Sequence, residues 1–172
     1  MANYLIHTCL KRKWYVENFL IPSMIEQGCK NISVYIDYNG DGNLTSFIKS
    51  YKCARDKDIW HLQDDVIISS RFKELTEQYD DGIVCGFCNG FSKGQPGVTN
   101  VRYNMWYSMP CIRIPGDILK HFISWLNSED TRTKYEYHFD ENKHDDVLFQ
   151  NFLMDNYPKI PVLNLTPNIV NR

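Results

Sequence analysis

The chain has 172 residues, of which 43% are hydrophobic and 14% aromatic, so it is long enough for one domain with a substantial core. Its formal net charge of -2 at pH 7 gives no overall attraction to nucleic acid or to an anionic membrane, which argues against a polyanion-binding protein. Residues 1–10 lack a basic region followed by a sustained apolar run, and no window has about 18 consecutive apolar residues. We therefore expect one cytoplasmic domain over residues 1–172 that does not enter a membrane.

The chain alternates strand and helix patterns. In chain order the patterns predict a strand at residues 4–10, a helix at 14–27, a strand at 31–36, a helix at 44–53, a strand at 58–62, a helix at 70–78, a strand at 82–87, and helices at 118–126 and 145–156. Residues 89–104 are rich in Gly, Asn and Ser, which is typical of a mobile loop. This alternation predicts an α/β domain with a Rossmann-like, mostly parallel mixed sheet and helices on both faces.

Polar residues stand at the carboxyl ends of three predicted strands. They are Thr8 and Cys9 after the first strand, Asp37 after the second, and Gln63, Asp64 and Asp65 after the third. Open α/β sheets bind ligands at the carboxyl ends of their strands, near the point where the strand order reverses. The three segments are therefore expected to converge on one crevice.

Two adjacent carboxylates, Asp64 and Asp65, interrupt the apolar run at residues 59–68. Side-by-side carboxylates repel one another, and burying them is costly unless a metal ion, an arginine or a helix N-terminus compensates their charge. A bound cation is the functional interpretation of this pair. The structural alternative is a solvated strand end whose acids cap the following helix.

Three segments carry a resemblance to a known family. Residues 61–66, His-Leu-Gln-Asp-Asp-Val, resemble the metal-binding acidic motif of GT-A nucleotide-sugar glycosyltransferases, most of all that of small phage and prophage-type members. Residues 107–116 and 144–149 support the resemblance, and residues 158–170 close it. Their order and spacing extend it over nearly the whole chain. The resemblance implies a GT-A-like fold and transfer of a sugar, with a UDP-sugar as the expected donor.

The resemblance also implies roles for the acidic motif. Asp65 is expected to bind the metal directly with Asp64 in support, while Asp64 and Gln63 face the ribose and the sugar of the donor. A hard cation, Mn or Mg, is implied because all the expected ligand atoms are oxygens and the leaving group is a diphosphate. Many related motifs have an acid where this chain has Gln63, so this motif carries less negative charge.

The remaining site residues follow from the later motifs and from the strand ends. Asp145 and Asp146 open the last predicted helix, where one is expected to deprotonate the acceptor and the other to cap helix N–H groups. Arg172 stands where related proteins place a metal-binding histidine. Either its guanidinium contacts the diphosphate directly, or the chain uses fewer metal ligands, or its function has diverged from that of the family. Further nucleotide contacts are assigned by strand-end position alone to Thr8, Cys9, Arg12 and Asp37.

The leading hypothesis is therefore a metal-dependent hexosyl- or pentosyltransferase acting on a hydroxyl, and the phage-type resemblance makes a modified base in DNA a candidate acceptor. The alternative is a catalytically inactive module of the same fold that binds a nucleotide or a partner protein. A third hypothesis is phosphoryl or nucleotidyl transfer, although the chain has no glycine-rich phosphate loop of the P-loop kind.

Two other motifs have simpler structural interpretations. Residues 37–48 begin like an EF-hand loop, but position twelve is Ile48 where such a loop has Glu, so a strand-to-helix loop is expected. Cys85 and Cys88 have redox spacing at the end of a predicted strand, and buried thiols are the preferred interpretation for these and the other four cysteines.

Overall fold

The computed structural model describes residues 1–54, 57–87, 97–101, 109–140, 145–166 and 168–171, and for residues 97–101, 140, 166 and 171 it describes the backbone alone. The strands are β1 (Tyr4–Cys9), β2 (Ile32–Asp37), β3 (Ile59–Gln63), β4 (Ile67–Ile68), β5 (Ile83–Cys85), β6 (Gly97–Val101), β7 (Cys111–Ile114), β8 (Val162–Thr166) and β9 (Val170–Asn171). The α-helices are α1 (Lys13–Tyr15), α2 (Ile21–Glu26), α3 (Asn43–Ala54), α4 (Phe72–Gln78), α5 (Gly116–Leu126), α6 (Glu129–Lys134), α7 (Glu136–Asp140) and α8 (Asp145–Asn156).

The main sheet has the strand order β2-β1-β3-β7-β5-β8-β6. β1 pairs in parallel with both β2 and β3, and β5 pairs in parallel with β8. β7 runs antiparallel between β3 and β5, and β6 runs antiparallel beside β8. Five of these strands thus share one direction, which confirms the expected α/β domain with a mixed, mostly parallel sheet.

A hydrophobic core covers each face of this sheet. On one face α3, α5 and α8 pack against one another through side chains such as Phe47, Phe122 and Phe149. On the other face Met24 and Phe72, from α2 and α4, belong to a second cluster. Because side chains alternate along a strand, β1 and β3 contribute to both cores, and both faces are covered as the sequence predicted. No helix in the described ranges is long and apolar enough to cross a membrane.

The helix predicted at residues 14–27 is regular only at its ends. A 3-10 turn (Leu10–Arg12) and α1 precede a π-helical segment (Val16–Leu20), which α2 then follows. Pro22 has no N–H, so the carbonyl of Asn18 cannot receive its usual helical hydrogen bond, and a local change of register accommodates this. The helix ends at Glu26, and Gly28, just after its C-cap Gln27, has a φ of 80°.

Two sequence expectations are corrected, and two strands of the main sheet were not predicted. The mobile loop predicted at residues 89–104 is wrong for Gly97–Val101, which form β6 because they pair with β8 more than sixty residues later in the chain; the rest of that loop lies outside the described residues. β7 and β8 were not predicted, since short strands paired only at long range carry a weak local signal. Cys29, Cys85 and Cys111 are buried as expected but Cys53 is exposed, and Cys88 is not among the described residues.

The crevice follows from the order of the strands. From β1 the chain goes to β2 on one side, and it then crosses β1 to reach β3 on the other side. The strand order therefore reverses at β1, and a crevice opens beyond the carboxyl ends of β1 and β3. These ends carry Thr8, Cys9 and Gln63, as the sequence predicted.

The last described residues of the chain return to the segment that follows the acidic motif. β9 pairs antiparallel with β4, which places Asn171 opposite Ile67. Just before β9, the N–H of Ile169 donates to the carbonyl of Gly86, and the N–H of Gly86 donates to Cys111. A Cβ atom at Gly86 would lie 2.6 Å from Cγ1 of Ile169 and 2.8 Å from Sγ of Cys111. Glycine at position 86 thus allows the tail to approach closely.

We expect Gly86→Ala to lower the free energy of unfolding by about 1–3 kcal/mol, because the added methyl group overpacks a closed site. Urea denaturation of Gly86→Ala, of Ile169→Val and of the double variant measures the effect. Ile169→Val removes one of the close atoms, so the penalty of Gly86→Ala should be smaller in that background. Strictly additive penalties would contradict the proposed clash.

Candidate functional site

A polar cleft of about 450 Å³ opens at the carboxyl ends of β1, β2 and β3. It is lined by His7, Thr8, Cys9, Arg12, Asp37, Gly40, Gly42, Asn43, Ser46, Gln63, Asp64 and Asp65. All the residues that the sequence assigned to the three strand ends, together with Arg12, are therefore brought together. Arg172 lies outside the described residues, and Asp145 lies just behind the wall of the cleft.

Asp64 joins the end of β3 to the segment that leaves β1. Its Oδ2 accepts hydrogen bonds from Oγ1 of Thr8 at 2.7 Å and from the backbone N–H of Cys9 at 3.3 Å. Its Oδ1 accepts from Nη1 of Arg12 at 2.7 Å. The carboxylate is buried, and three donors of this kind compensate the cost of removing it from water.

Arg12 lies close to both carboxylates of the acidic pair. The same Nη1 that donates to Asp64 is 3.7 Å from Oδ2 of Asp65. The Asp64 hydrogen bond and charge raise the pKa of Arg12; burial acts in the opposite direction, and the charge of Asp65 adds a smaller increase. Because the Arg12 side chain is 53% exposed, solvent screens this attraction and leaves the guanidinium able to move. The repulsion that the sequence predicted is thus relieved by an arginine of the same chain.

The loop after β2 forms another wall of the cleft. Asp37 is buried at the strand end, and its Oδ1 accepts the N–H of Asp41 at 3.1 Å. Gly40 and Gly42 have φ values of 68° and 88°, a region that favours glycine. α3 begins at the next residue, Asn43. The predicted strand-to-helix loop is confirmed.

A hydrogen-bonded chain leads from the floor of the cleft to Asp145. Nε2 of His7 is 2.7 Å from Oγ of Ser46, which in turn is 3.2 Å from the carbonyl oxygen of Asn43. Nδ2 of Asn43 donates to Oδ1 of Asp145 at 2.7 Å. Ser46 has a single hydroxyl proton, so it donates either to the carbonyl of Asn43 or to Nε2 of His7, and the tautomer of the imidazole decides which. The first turn of α3 thereby links β1 to the start of α8.

Asp145 is an unusual carboxyl group because it is only 4% exposed. Burial, and next the charge of Asp146, raise its pKa to about 7, while backbone N–H groups and Asn43 act in the opposite direction. Asp146 is half-buried, and its Oδ1 accepts the N–H of Val147. Both acids thus accept helix N–H groups, and the burial and raised pKa of Asp145 make it the better candidate for proton transfer.

A second buried histidine lies beneath His7. His61 is fully buried, with the rings of Phe47 and Tyr51 edge-on to it at 5.4 and 5.3 Å. Burial, and next the proximity of His7, lower its pKa to about 3, so it is neutral in the folded protein. Burial also lowers the pKa of His7, against the pull of the charges of Asp64 and Asp37. The floor of the cleft therefore adds no positive charge at neutral pH.

Three polar side chains that line the cleft were missed by sequence reasoning. They are His7, Asn43 and Ser46. The signal for His7 was available, because alternation along β1 places it on the same face as Leu5, toward α3. Asn43 and Ser46 were visible only as the start of a helix after a glycine-rich turn, and their partners lie far away in the sequence.

The donor set can be tested for its fit to a divalent cation. In the described part of the chain, no three His, Cys, Asp or Glu side chains gather into a metal-binding group. The oxygens of Asp64 already accept from three protein donors, which leaves Asp65 as the better ligand. Mg²⁺ is commonly held by one or two carboxylates together with substrate phosphates. The residues present therefore fit a cation that arrives with a phosphorylated ligand.

No family model matches the chain, and no curated protein matches it. The strand order, the cleft and its charges are therefore the grounds on which a function is proposed.

We expect Arg12→Ala to bind Mn²⁺ alone roughly tenfold more tightly than the wild type does, because it removes the positive charge beside two carboxylates. Titration calorimetry without nucleotide measures the affinity. Arg71→Ala, which removes an exposed arginine paired with Glu74 outside the cleft, is the matched control. An unchanged or weaker Mn²⁺ affinity in Arg12→Ala would show that the guanidinium does not mask the acidic pair.

The raised pKa of Asp145 predicts a pH dependence of stability. From about pH 4 upward the folded protein keeps a proton that the unfolded chain releases, so the stability due to this proton is lost as the pH rises through about 7. Asp145→Asn lacks this titration. We expect the unfolding free energy of the variant, relative to the wild type, to rise by about 2–4 kcal/mol between pH 5 and pH 8.

Urea denaturation at the two pH values measures this difference. Asp117→Asn is the matched control, since Asp117 is also an acid in a first helical turn that accepts the next N–H, but it is exposed. Parallel pH profiles of Asp145→Asn and the wild type would contradict the raised pKa.

Proposed function

We propose that the protein is a metal-dependent glycosyltransferase with a GT-A-like fold, which moves a sugar from a nucleotide-sugar donor to an acceptor hydroxyl. The observation that carries the proposal is the position of Asp64 and Asp65. They follow β3 at the edge of the crevice where the strand order reverses, beside polar groups from β1 and β2. Nucleotides bind at such switch points in open α/β sheets.

The cleft offers different chemistry along its length, as a nucleotide sugar requires. Asp37 and the glycine-containing loop after β2 present oxygens and backbone groups to the nucleoside end. Arg12 and Asp65 lie at the other side, where a diphosphate would meet a guanidinium and a carboxylate. Gln63 and Asp64, at the end of β3, are proposed to face the ribose and the sugar, as the sequence resemblance implies. UDP is the nucleotide that the sequence resemblance favours.

Mn²⁺ or Mg²⁺, when bound, supplies positive charge against the diphosphate leaving group. Asp65 would hold the ion from the protein side, and Asp64 would keep Asp65 in position through its bonds to Thr8 and Cys9. A guanidinium can form two parallel hydrogen bonds to phosphate oxygens, so Arg12 would orient the diphosphate. Arg172 is proposed for the same part of the donor from the sequence alone.

Asp145 is proposed as the base that accepts the proton of the acceptor hydroxyl. A pKa of about 7 is suited to this role, because a base is most effective when its pKa is close to the working pH. Asn43 fixes one carboxyl oxygen of Asp145 and itself lines the cleft. Asp146 is proposed as the residue that caps α8.

A second candidate function is a catalytically inactive module of the same fold. Its supporting observation is Arg12, whose guanidinium lies against both carboxylates of the acidic pair. Such a module would bind a nucleotide through Arg12 and the loop after β2. Its nucleotide affinity, measured by calorimetry, would not depend on a divalent cation.

We expect Asp65→Asn to reduce UDP release from a panel of UDP-sugars with Mn²⁺ by about a hundredfold, because the neutral amide is a poor ligand for a hard cation. The control is Asp80→Asn, which removes an exposed acid at the opposite end of the sheet. Equal release by Asp65→Asn and the wild type would overturn the assigned role. Metal-independent UDP binding without UDP-sugar turnover would favour the inactive module.

A further inference from the structure

Large apolar side chains are exposed on the helical segment that follows β1. Leu10 is 55% exposed, Trp14 65% and Phe19 49%. The rings of Trp14 and Phe19 meet edge to face with their centroids 5.2 Å apart. We call Leu10, Trp14 and Phe19 the aromatic platform. Exposed apolar side chains that cluster in this way often mark an interaction site.

The aromatic platform does not line the cleft itself, but it lies close to Arg12, which does. Arg12, which lines the cleft, lies between Leu10 and Trp14 in the chain. The ring of Tyr15 stacks on Phe19 at 5.7 Å, and its hydroxyl donates to the carbonyl of Val66, the residue after Asp65. Seven helical residues rise about 10 Å, so Phe19 is within this distance of Arg12 along the helix axis. A molecule on the platform can therefore reach into the cleft.

The platform has a rigid base. Val16, Leu20 and Met24 lie on the opposite side of the same segment and are buried in the core of that sheet face. Trp and Phe have only two side-chain torsions each, so they lose little entropy when a ligand binds to them. The aromatic platform is thus held in place before binding, which favours affinity.

The charges around the aromatic platform show which classes of ligand it does not favour. The three cations at positions 11–13 are accompanied by three carboxylates, since Arg12 contacts Asp64 and Asp65, and Lys13 is 3.5 Å from Glu17. Nucleic acids and anionic membranes are bound through an excess of cations, which this surface lacks. A stable dimer needs about 800 Å² on each partner, more than three side chains provide. A small uncharged ligand remains.

We propose that the aromatic platform binds the acceptor of the transfer reaction, and that this acceptor is a neutral carbohydrate with a sugar ring stacked on Trp14 and Phe19. The apolar C–H face of a sugar ring matches an exposed aromatic ring, and its hydroxyl groups remain in water or point into the cleft. Stacking at the mouth of the cleft would hold one acceptor hydroxyl near the donor. This inference rests on the proposed function, because an acceptor site requires a transferase.

The experiment is a glycan array of neutral oligosaccharides probed with the full chain as wild type, Trp14→Ala and Phe19→Ala. The matched control is Ile25→Ala, which removes another exposed apolar side chain from the same helical region, one not in the platform. We expect the wild type and Ile25→Ala to bind the same glycans, and the two platform variants to bind them at least tenfold more weakly. No glycan binding by the wild type, or equal binding by the platform variants, would overturn the inference.

Two further measurements separate the possible failures. The first is binding of a single-stranded DNA oligonucleotide at 150 mM salt. If the wild type binds it and Trp14→Ala does not, the ligand of the platform is a nucleic acid and the inference is overturned. Thermal stabilisation by UDP with Mn²⁺ reports the donor site, and Trp14→Ala should retain it. If UDP with Mn²⁺ stabilises the wild type but no glycan binds, only the role of the aromatic platform is refuted. If UDP with Mn²⁺ does not stabilise the wild type, the proposed function is refuted and the acceptor role with it.

Discussion

The buried carboxylate of Asp64 is the interaction on which the geometry of the cleft depends. A carboxylate in this position is stable only with several donors, and the donors come from the end of β1 and from the turn that follows it. Satisfying Asp64 therefore fixes the end of β3 against the end of β1. The same requirement places Arg12 beside Asp65, so one buried charge organises the strand ends, the arginine and the second acid.

The topology explains why these groups meet at one edge. Parallel pairing of β1 with both neighbours aligns three carboxyl ends, and the reversal of strand order at β1 leaves a gap between the connections that follow them. The loop after β2 then starts α3, whose first turn ties His7 to Asp145 through Ser46 and Asn43. Groups from four separate segments therefore share one polar environment.

Local patterns in the sequence predicted β1, β2, β3 and most helices, because alternation and helical spacing are properties of short segments. They also predicted the residues at strand ends, since the end of a strand is visible locally. They did not predict β6 as a strand, whose partner β8 is distant in the sequence. Nor did they predict that Arg12 would balance Asp64 and Asp65, because an ion pair between residues more than fifty positions apart leaves no local signal.

The charge balance of the cleft constrains how any anionic ligand can bind. Without a ligand, Arg12 is already paired with the carboxylates, and the histidines below are neutral because they are buried. A diphosphate that takes Arg12 for itself leaves Asp65 without its nearby cation, and two adjacent carboxylates without compensation repel one another. In the proposed donor site, a divalent cation at Asp65 would supply the charge that the diphosphate withdraws by pairing with Arg12. Such coupling would distinguish that proposed site from a simple arginine-based anion site.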